Sequence, residues 1–232
     1  MTDFKPNFSK AYIAANELLV SGEGIDSFPF SIKDCIIKNT DINTCSYNKA
    51  KNKYGIDISV WGSESAIIQE YQGQSIIFYN SNNSKPHVVF SMAHELGHHQ
   101  LDHCANLEID DPLYKKQEIE ANYFAAQLLM PDQIINVMKY RGKKITISFL
   151  KETFGVSDEA AKRRIEALSK LNSAFKKKEE KEYDDIIELR YKGFVDAIAP
   201  EEESFCSLED ELIRQSERDF WNSYRNQRGW LN

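Results

Sequence analysis

Apolar residues recur at close to helical spacing near the start of the chain, at Ala11, Ile13, Ala14, Leu18 and Leu19, and the pattern breaks at Gly22 and Gly24. A first helix ending there is predicted. Ser31, followed three residues later by Asp34 and then by Ile36 and Ile37, resembles a capping box that opens a second short helix. The periodicity then changes, with short β-rich runs at 56–61, 66–71 and 75–79 separated by Gly62-Ser63-Glu64-Ser65 and Gln72-Gly73-Gln74. These read as a small antiparallel sheet. Residues 80–85 have turn chemistry, and Pro86 suits the first turn of a helix running through Val88, Val89, Phe90, Met92 and Ala93. So apolar a stretch belongs to a buried helix facing an interior cleft.

Further on, residues 117–130 carry the Ala, Leu and Phe content of a buried helix, stopped by Pro131-Asp132. Residues 147–168 have the outline of a helix-turn-helix: a helix, a turn at Gly155 and a second helix capped by Ser157. Lys162, Arg163 and Arg164 invite a DNA-binding reading, but Asp158, Glu159 and Glu166 offset them and no wider basic patch surrounds them. Helical packing, or docking of a protein substrate, is the expectation. From Ser173 the composition turns acidic, with 10 Lys and Arg against 15 Asp and Glu. The mixed run at 176–182 reads as a solvated helix or linker, and Ser207 as the cap of a last helix carrying Leu208, Leu212, Ile213, Phe220, Trp221 and Tyr224.

Charge and composition narrow the function classes. A net charge of -7 gives no reason for nonspecific affinity to nucleic acid or an anionic membrane. The first residues lack the basic-then-apolar form of a signal sequence, and no apolar run approaches the roughly 20 residues of a membrane span. A soluble, cytoplasmic protein is expected. Cys35, Cys45, Cys104 and Cys206 form no CxxC pair, so neither a zinc ribbon nor a disulfide framework is indicated, and Cys104 is read as a buried thiol.

All five histidines lie between His87 and His103, and four fall in the run His94-Glu95-Leu96-Gly97-His98-His99-Gln100-Leu101-Asp102-His103. That run contains HExxH. Residues four apart share a helix face, so His94 and His98 can bind one zinc ion, while Glu95 projects beside that face as a general base. A catalytic zinc needs a third protein ligand. Glu118 is preferred over Glu120, because Glu118 and Asn122 share a face: the carboxylate can ligate while the amide supports a ligand from the second shell. His103, Tyr114 and Tyr123 are candidate transition-state donors, and His87 and His99 lie off the ligand face.

The pair of motifs HELGHH (residues 94–99) and EIEANYFAAQLLMP (residues 118–131) closely resembles the ImmA/IrrE family of bacterial metallo-endopeptidases, in which an HExxH helix is followed by ExxAN and FAxxLLMP. The likeness extends roughly from Ala11 to Leu171 and is most specific between Pro86 and Pro131. It implies that His94, His98 and Glu118 correspond to zinc ligands and Glu95 to the catalytic base, and that Asn122 is the motif asparagine. It also implies intracellular cleavage of a DNA-binding repressor during stress or mobile-element induction. From the charge pattern no direct nucleic-acid binding is expected. The alternative is a zinc-binding regulatory or sensor protein that acts without turnover. The expected fold class is α+β. A zincin-like metallopeptidase domain over 1–140 precedes a helix-turn-helix-like subdomain over 141–172 and an acidic, mostly helical extension over 173–232.

Overall fold

The computed structural model describes residues 5–58, 63–104, 107–170, 176–201 and 215–216. The chain divides into two compact units, Met1–Ala199 and Pro200–Asn232. Of the second unit only Pro200, Glu201, Gln215 and Ser216 are described, so the capped last helix expected after Ser207 lies outside the described residues.

The first unit opens with α1 (Phe8–Ser21), which buries Ala11, Ala15, Leu18 and Leu19, and α2 (Ile32–Asn39), whose cap Ser31 accepts from the Asp34 N–H. Then come β1 (Asn43–Ser46), α3 (Tyr47–Tyr54), β2 (Ala66–Tyr71) and β3 (Gln74–Tyr79). Two long helices follow, α4 (Lys85–Gln100) and α5 (Pro112–Leu129), and then α6 (Asp132–Tyr140), α7 (Ile147–Phe154), α8 (Asp158–Lys170), α9 (Lys178–Arg190) and α10 (Lys192–Ile198). The class is α+β. The α4–α5 pair forms the most extensive helix contact, α1 packs on α5, and β2 and β3 lie against α4.

The sheet corrects the sequence reading in two respects. Its order is β1-β3-β2, with β1 parallel to β3 and only β2 antiparallel to it, so it is mixed. The third strand is Asn43–Ser46, not the run at 56–61: residues 56–58 form no strand, and 59–62 lie outside the described residues. β1 is short and polar, and only Cys45 of its four residues is buried, which leaves no alternation to detect. The β2–β3 hairpin follows local chemistry, since Gln72 and Gly73 both take positive φ (53° and 76°), as a two-residue type I′ turn demands. Among the described residues β2 is an edge of the sheet.

Helices α7 and α8 form as expected, with Gly155 in the left-handed region (φ 67°) and the Ser157 hydroxyl accepting from the Ala160 N–H. Lys162, Arg163 and Arg164 of α8 do not share one face. Arg164 is buried with 2% exposure, and donates from Nε to the Met130 carbonyl (2.9 Å) and from Nη2 to Gln127 Oε1 (2.5 Å). Gln127 in turn donates to Asn16 (2.9 Å) and Asp132 (3.0 Å), and Asp132 accepts from Tyr12 (3.0 Å) and pairs with Lys176 (2.9 Å). One buried polar network therefore ties α1, α5, α6 and α8 to the segment entering α9. Tyr191, between α9 and α10, directs its hydroxyl at the carbonyls of Leu19 (3.0 Å) and Ile25 (2.9 Å), so residues 176–199 belong with the first unit.

That network sets an acid limit on stability. Burial alone would raise the Asp132 carboxyl, but Arg164 and Lys176 outweigh it and hold the group below its ordinary value of 3.8. A carboxyl depressed in the folded state contributes stability that is present above its unfolded pKa and is lost as pH falls through the folded one. Denaturant unfolding between pH 6 and pH 3 should therefore show stability falling from about pH 4 downward. Asp132→Asn, less stable at pH 6, should show a shallower fall, and a slope equal to wild type would remove Asp132 from the account.

Candidate metal centre

The site is built where α4 and α5 approach each other. α4 starts at a turn, carries a proline in its first turn and buries Met92, Ala93, Leu96 and Gly97, which fixes the helix rotation and sets His94 and His98 toward α5. Gly97 lets the helices close. A Cβ there would lie 3.0 Å from Cδ1 of the buried Phe124 and 3.2 Å from both the Cα and the carbonyl oxygen of Ala121. Gly97→Ala gains about 1 kcal/mol in helix propensity, but overpacking against a neighbouring backbone costs about 1 to 3 kcal/mol. A net loss of about 1 kcal/mol is expected in urea unfolding, and a stabilised variant would show that the contact yields.

On α5, Glu118 faces the two histidines. Its Oε1 lies 3.2 Å from His98 Nε2 and its Oε2 3.4 Å from His94 Nε2, and the two Nε2 atoms are 3.0 Å apart. These three residues could hold a metal ion, with one potential ligand atom from each within 4.8 Å of the others. The orientation of His94 is set from behind. Asn122 donates from Nδ2 to the Glu118 carbonyl (2.8 Å), which turns its Oδ1 toward His94 Nδ1 at 3.2 Å. His94 is thus the donor of that bond, and its Nε2 keeps a lone pair for the centre.

Glu95 lies on the same helix, one residue from His94, and its Oε2 accepts from the Ile68 N–H at 2.9 Å. Ile68 belongs to β2, so the edge strand and the carboxylate are held side by side. Burial raises the Glu95 carboxyl above its ordinary value of 4.5, against the pull of His94, His98 and the Ile68 N–H. Glu118 moves the other way: burial alone would raise it, yet His94 and His98, whose Nε2 atoms lie 3.4 and 3.2 Å from its oxygens, hold it well below the usual carboxylate range. Burial likewise opposes protonation of His94, but Glu118 and Glu95 together raise its pKa above 6.5. Two carboxyls pushed apart in this way suit different work, an anionic ligand and a proton acceptor.

The other residues singled out from the sequence fall in different places. Tyr114 is one turn before Glu118 on α5, and burial together with the charges of Glu118 and Glu95 raises its phenol, which stays protonated beside the site. Tyr123 is not brought there. Its ring meets Phe8 in a tilted contact with centroids 5.1 Å apart and lies near Arg164 and Asp132, which corrects its candidacy as a donor, since nine residues on a helix place it on the side opposite Tyr114. His87 meets the Ser65 hydroxyl (2.8 Å), and His99 lies 3.8 Å from Asp41. Cys104 is exposed rather than buried and stands outside the ligand group. His103, only 5% exposed at its side chain, places Nδ1 at 3.0 Å from His98 Nδ1 and Nε2 at 3.0 Å from Glu120 Oε2, and burial and His98 lower its pKa. A cavity of about 790 Å³ lined by Val88, Val89 and Met92 of α4 shares none of its lining with this site.

A helix bearing HExxH, set against a second helix that contributes a carboxylate, defines a candidate metallopeptidase centre. The family model of peptidase family M78, the IrrE N-terminal-like domain, matches residues 51–166, and the chain belongs to this family. Membership implies peptidase activity. The chain is also 32% identical over 113 residues to an uncharacterised immunity region protein 2 from Bacillus phage phi105, an alignment spanning 46% of this chain and 70% of the phage protein. No helix among the described residues is long and apolar enough to cross a membrane.

Proposed function

We propose that the protein is a zinc-dependent endopeptidase, built on a zincin-like core and acting in the cytoplasm on a protein substrate, a DNA-binding repressor. The observation that carries this reading is the convergence of His94, His98 and Glu118 beside Glu95. Two ligand atoms about 2.0 to 2.1 Å from a tetrahedral ion are separated by about 3.4 Å. The three separations here, 3.0, 3.2 and 3.4 Å, fit that geometry. Two imidazoles and one carboxylate are also the donor set of a catalytic zinc, which leaves a position open for water and substrate.

When bound, zinc supplies Lewis acidity, polarising a carbonyl and lowering the pKa of water toward about 7. The residues of the chain supply the rest. Glu95 accepts the water proton as the oxygen attacks the scissile carbonyl carbon, then delivers it to the amine as the C–N bond breaks. Its bond from Ile68 keeps it at the rim of β2, along whose outer edge, on either side of the Ile68 N–H, an extended substrate can pair by main-chain hydrogen bonds. In this reading Tyr114, protonated beside Glu118, donates to the developing oxyanion. Edge pairing has little side-chain selectivity, so the substrate is selected by docking elsewhere on the protein.

That the phage relative is an immunity region protein supports a repressor as the substrate. The test is to incubate zinc-loaded protein with the repressor encoded beside its gene and to read the products by mass spectrometry. One defined cut, abolished by a chelator and restored by zinc, is expected. Zinc binding with stable repressor association and no cut would favour a zinc-bearing regulator that acts without turnover.

A further inference from the structure

His103 and Glu120 lie outside the ligand group, yet both are buried and both are committed to it. The backbone explains how His103 arrives there. Just past the end of α4 comes a left-handed residue, Asp102 (φ 52°), with the Asp102 N–H donating to the His99 carbonyl (3.1 Å) and the His103 N–H to the His98 carbonyl (3.0 Å). This is the paired bonding of a Schellman turn, and it folds the chain back on the last turn of the helix. Asp is among the few non-glycine residues that adopt this conformation readily. The reversal brings the His103 ring against His98, with centroids 4.9 Å apart.

The protons along this contact can be assigned from one end. Glu120 Oε1 accepts from the Asn7 N–H and lies 3.8 Å from Lys116 Nζ, which turns Oε2 toward His103 as the acceptor of that contact. His103 Nε2 therefore donates to Oε2 across 3.0 Å. The other nitrogen of a neutral His103 ring is then a lone pair, so across the 3.0 Å contact His98 Nδ1 must be the donor. With its hydrogen on Nδ1, His98 presents a lone pair at Nε2, the atom that faces His94 and Glu118.

We propose that Glu120 and His103 are positioning residues of the metal centre: the chain Glu120–His103–His98 locks His98 in its Nδ1–H tautomer and aims Nε2 at the ion. This deepens the zinc reading and rests on it. The two ligand histidines are then oriented by different means, His94 by the neutral amide of Asn122 and His98 by a buried imidazole backed by Glu120. Glu120 lies two residues from Glu118, about 200° around the same helix. One helix thus supplies both a ligand and the far end of the support for another ligand. His103, with both ring nitrogens taken, acts through His98 rather than on the substrate.

The first measurement needs no substitution. Long-range proton–nitrogen NMR correlations of the metal-free protein at pH 8 should show His98 with its hydrogen on Nδ1; a hydrogen on Nε2 overturns the proposal. The second is zinc affinity by competition with a chromophoric chelator, on Glu120→Gln and His103→Leu variants whose thermal unfolding shows them folded. A weakening of about tenfold to a hundredfold is expected in both, with His98 shifting to a mixture of tautomers in His103→Leu. A change under threefold in folded variants, with the tautomer retained, overturns it. If the wild-type protein binds no zinc, the zinc reading itself fails, and the tautomer measurement still judges the hydrogen-bonded chain by itself.

Discussion

Glu95→Gln should bind zinc as tightly as wild type and lose at least a hundredfold in kcat/KM, with His98→Ala losing both metal and cleavage. The glutamine is isosteric, and its amide oxygen can still accept from Ile68, the backbone bond that holds this side chain beside β2. What it cannot do is take a proton. General acid–base catalysis of this kind contributes about 10²- to 10⁴-fold, or about 3 to 5 kcal/mol of barrier. His98→Ala acts on a different quantity, because removing one of three converging donors leaves too few for a tight site. The two variants therefore separate binding from chemistry. The pH profile adds a sign: burial raises the Glu95 carboxyl above 4.5, and the base works only when ionised, so cleavage falls as pH drops through that raised value. Glu95→Gln should lose that limb along with the rate. Full activity of Glu95→Gln on the repressor would sink the mechanism.

The parts of this site that were legible in the sequence are those governed by one helix at a time. His94 and His98, or Glu118 and Asn122, need only a spacing of four residues on a helix, and helical geometry then decides which face they share. The sheet was harder. β1 is four largely polar residues whose partner lies about thirty positions away, and α3 (YNKAKNKY) buries only Tyr47 and Ala50, so its apolar stripe is too thin for a periodicity to register. Glu120 and His103 were illegible as a pair for another reason. Counting along an unbroken helix places His103 beyond the ligand face, and only the left-handed turn at Asp102 returns it to His98. A non-glycine residue in that conformation has no reliable sequence signature. Tyr123 failed as a donor candidate because proximity in sequence to Glu118 is not proximity around the helix.

The same contrast between neighbours in sequence and neighbours in space governs the largest stability effect expected. Arg163 and Arg164 are adjacent and chemically identical, yet Arg164→Ala should cost about 3 to 5 kcal/mol and Arg163→Ala about 0.5 kcal/mol or less. Arg163 pairs with Glu159 one turn earlier at 2.5 Å, with both side chains more than 70% exposed, so water replaces that bond at little cost. Arg164 is buried and donates to Gln127 and to the Met130 carbonyl at the end of α5. Truncation leaves both acceptors without that donor, opens a cavity and removes one of the two cations that offset Asp132. The network also joins α8 to the helix that carries Glu118, so Arg164→Ala should lower zinc affinity as well, without touching a ligand. Equal losses for the two alanine variants in urea unfolding would mean that the buried network does not hold α8 in place. A large loss confined to Arg164 would show that this basic side chain of the helix-turn-helix-like segment is spent on the interior, leaving it unable to contact nucleic acid.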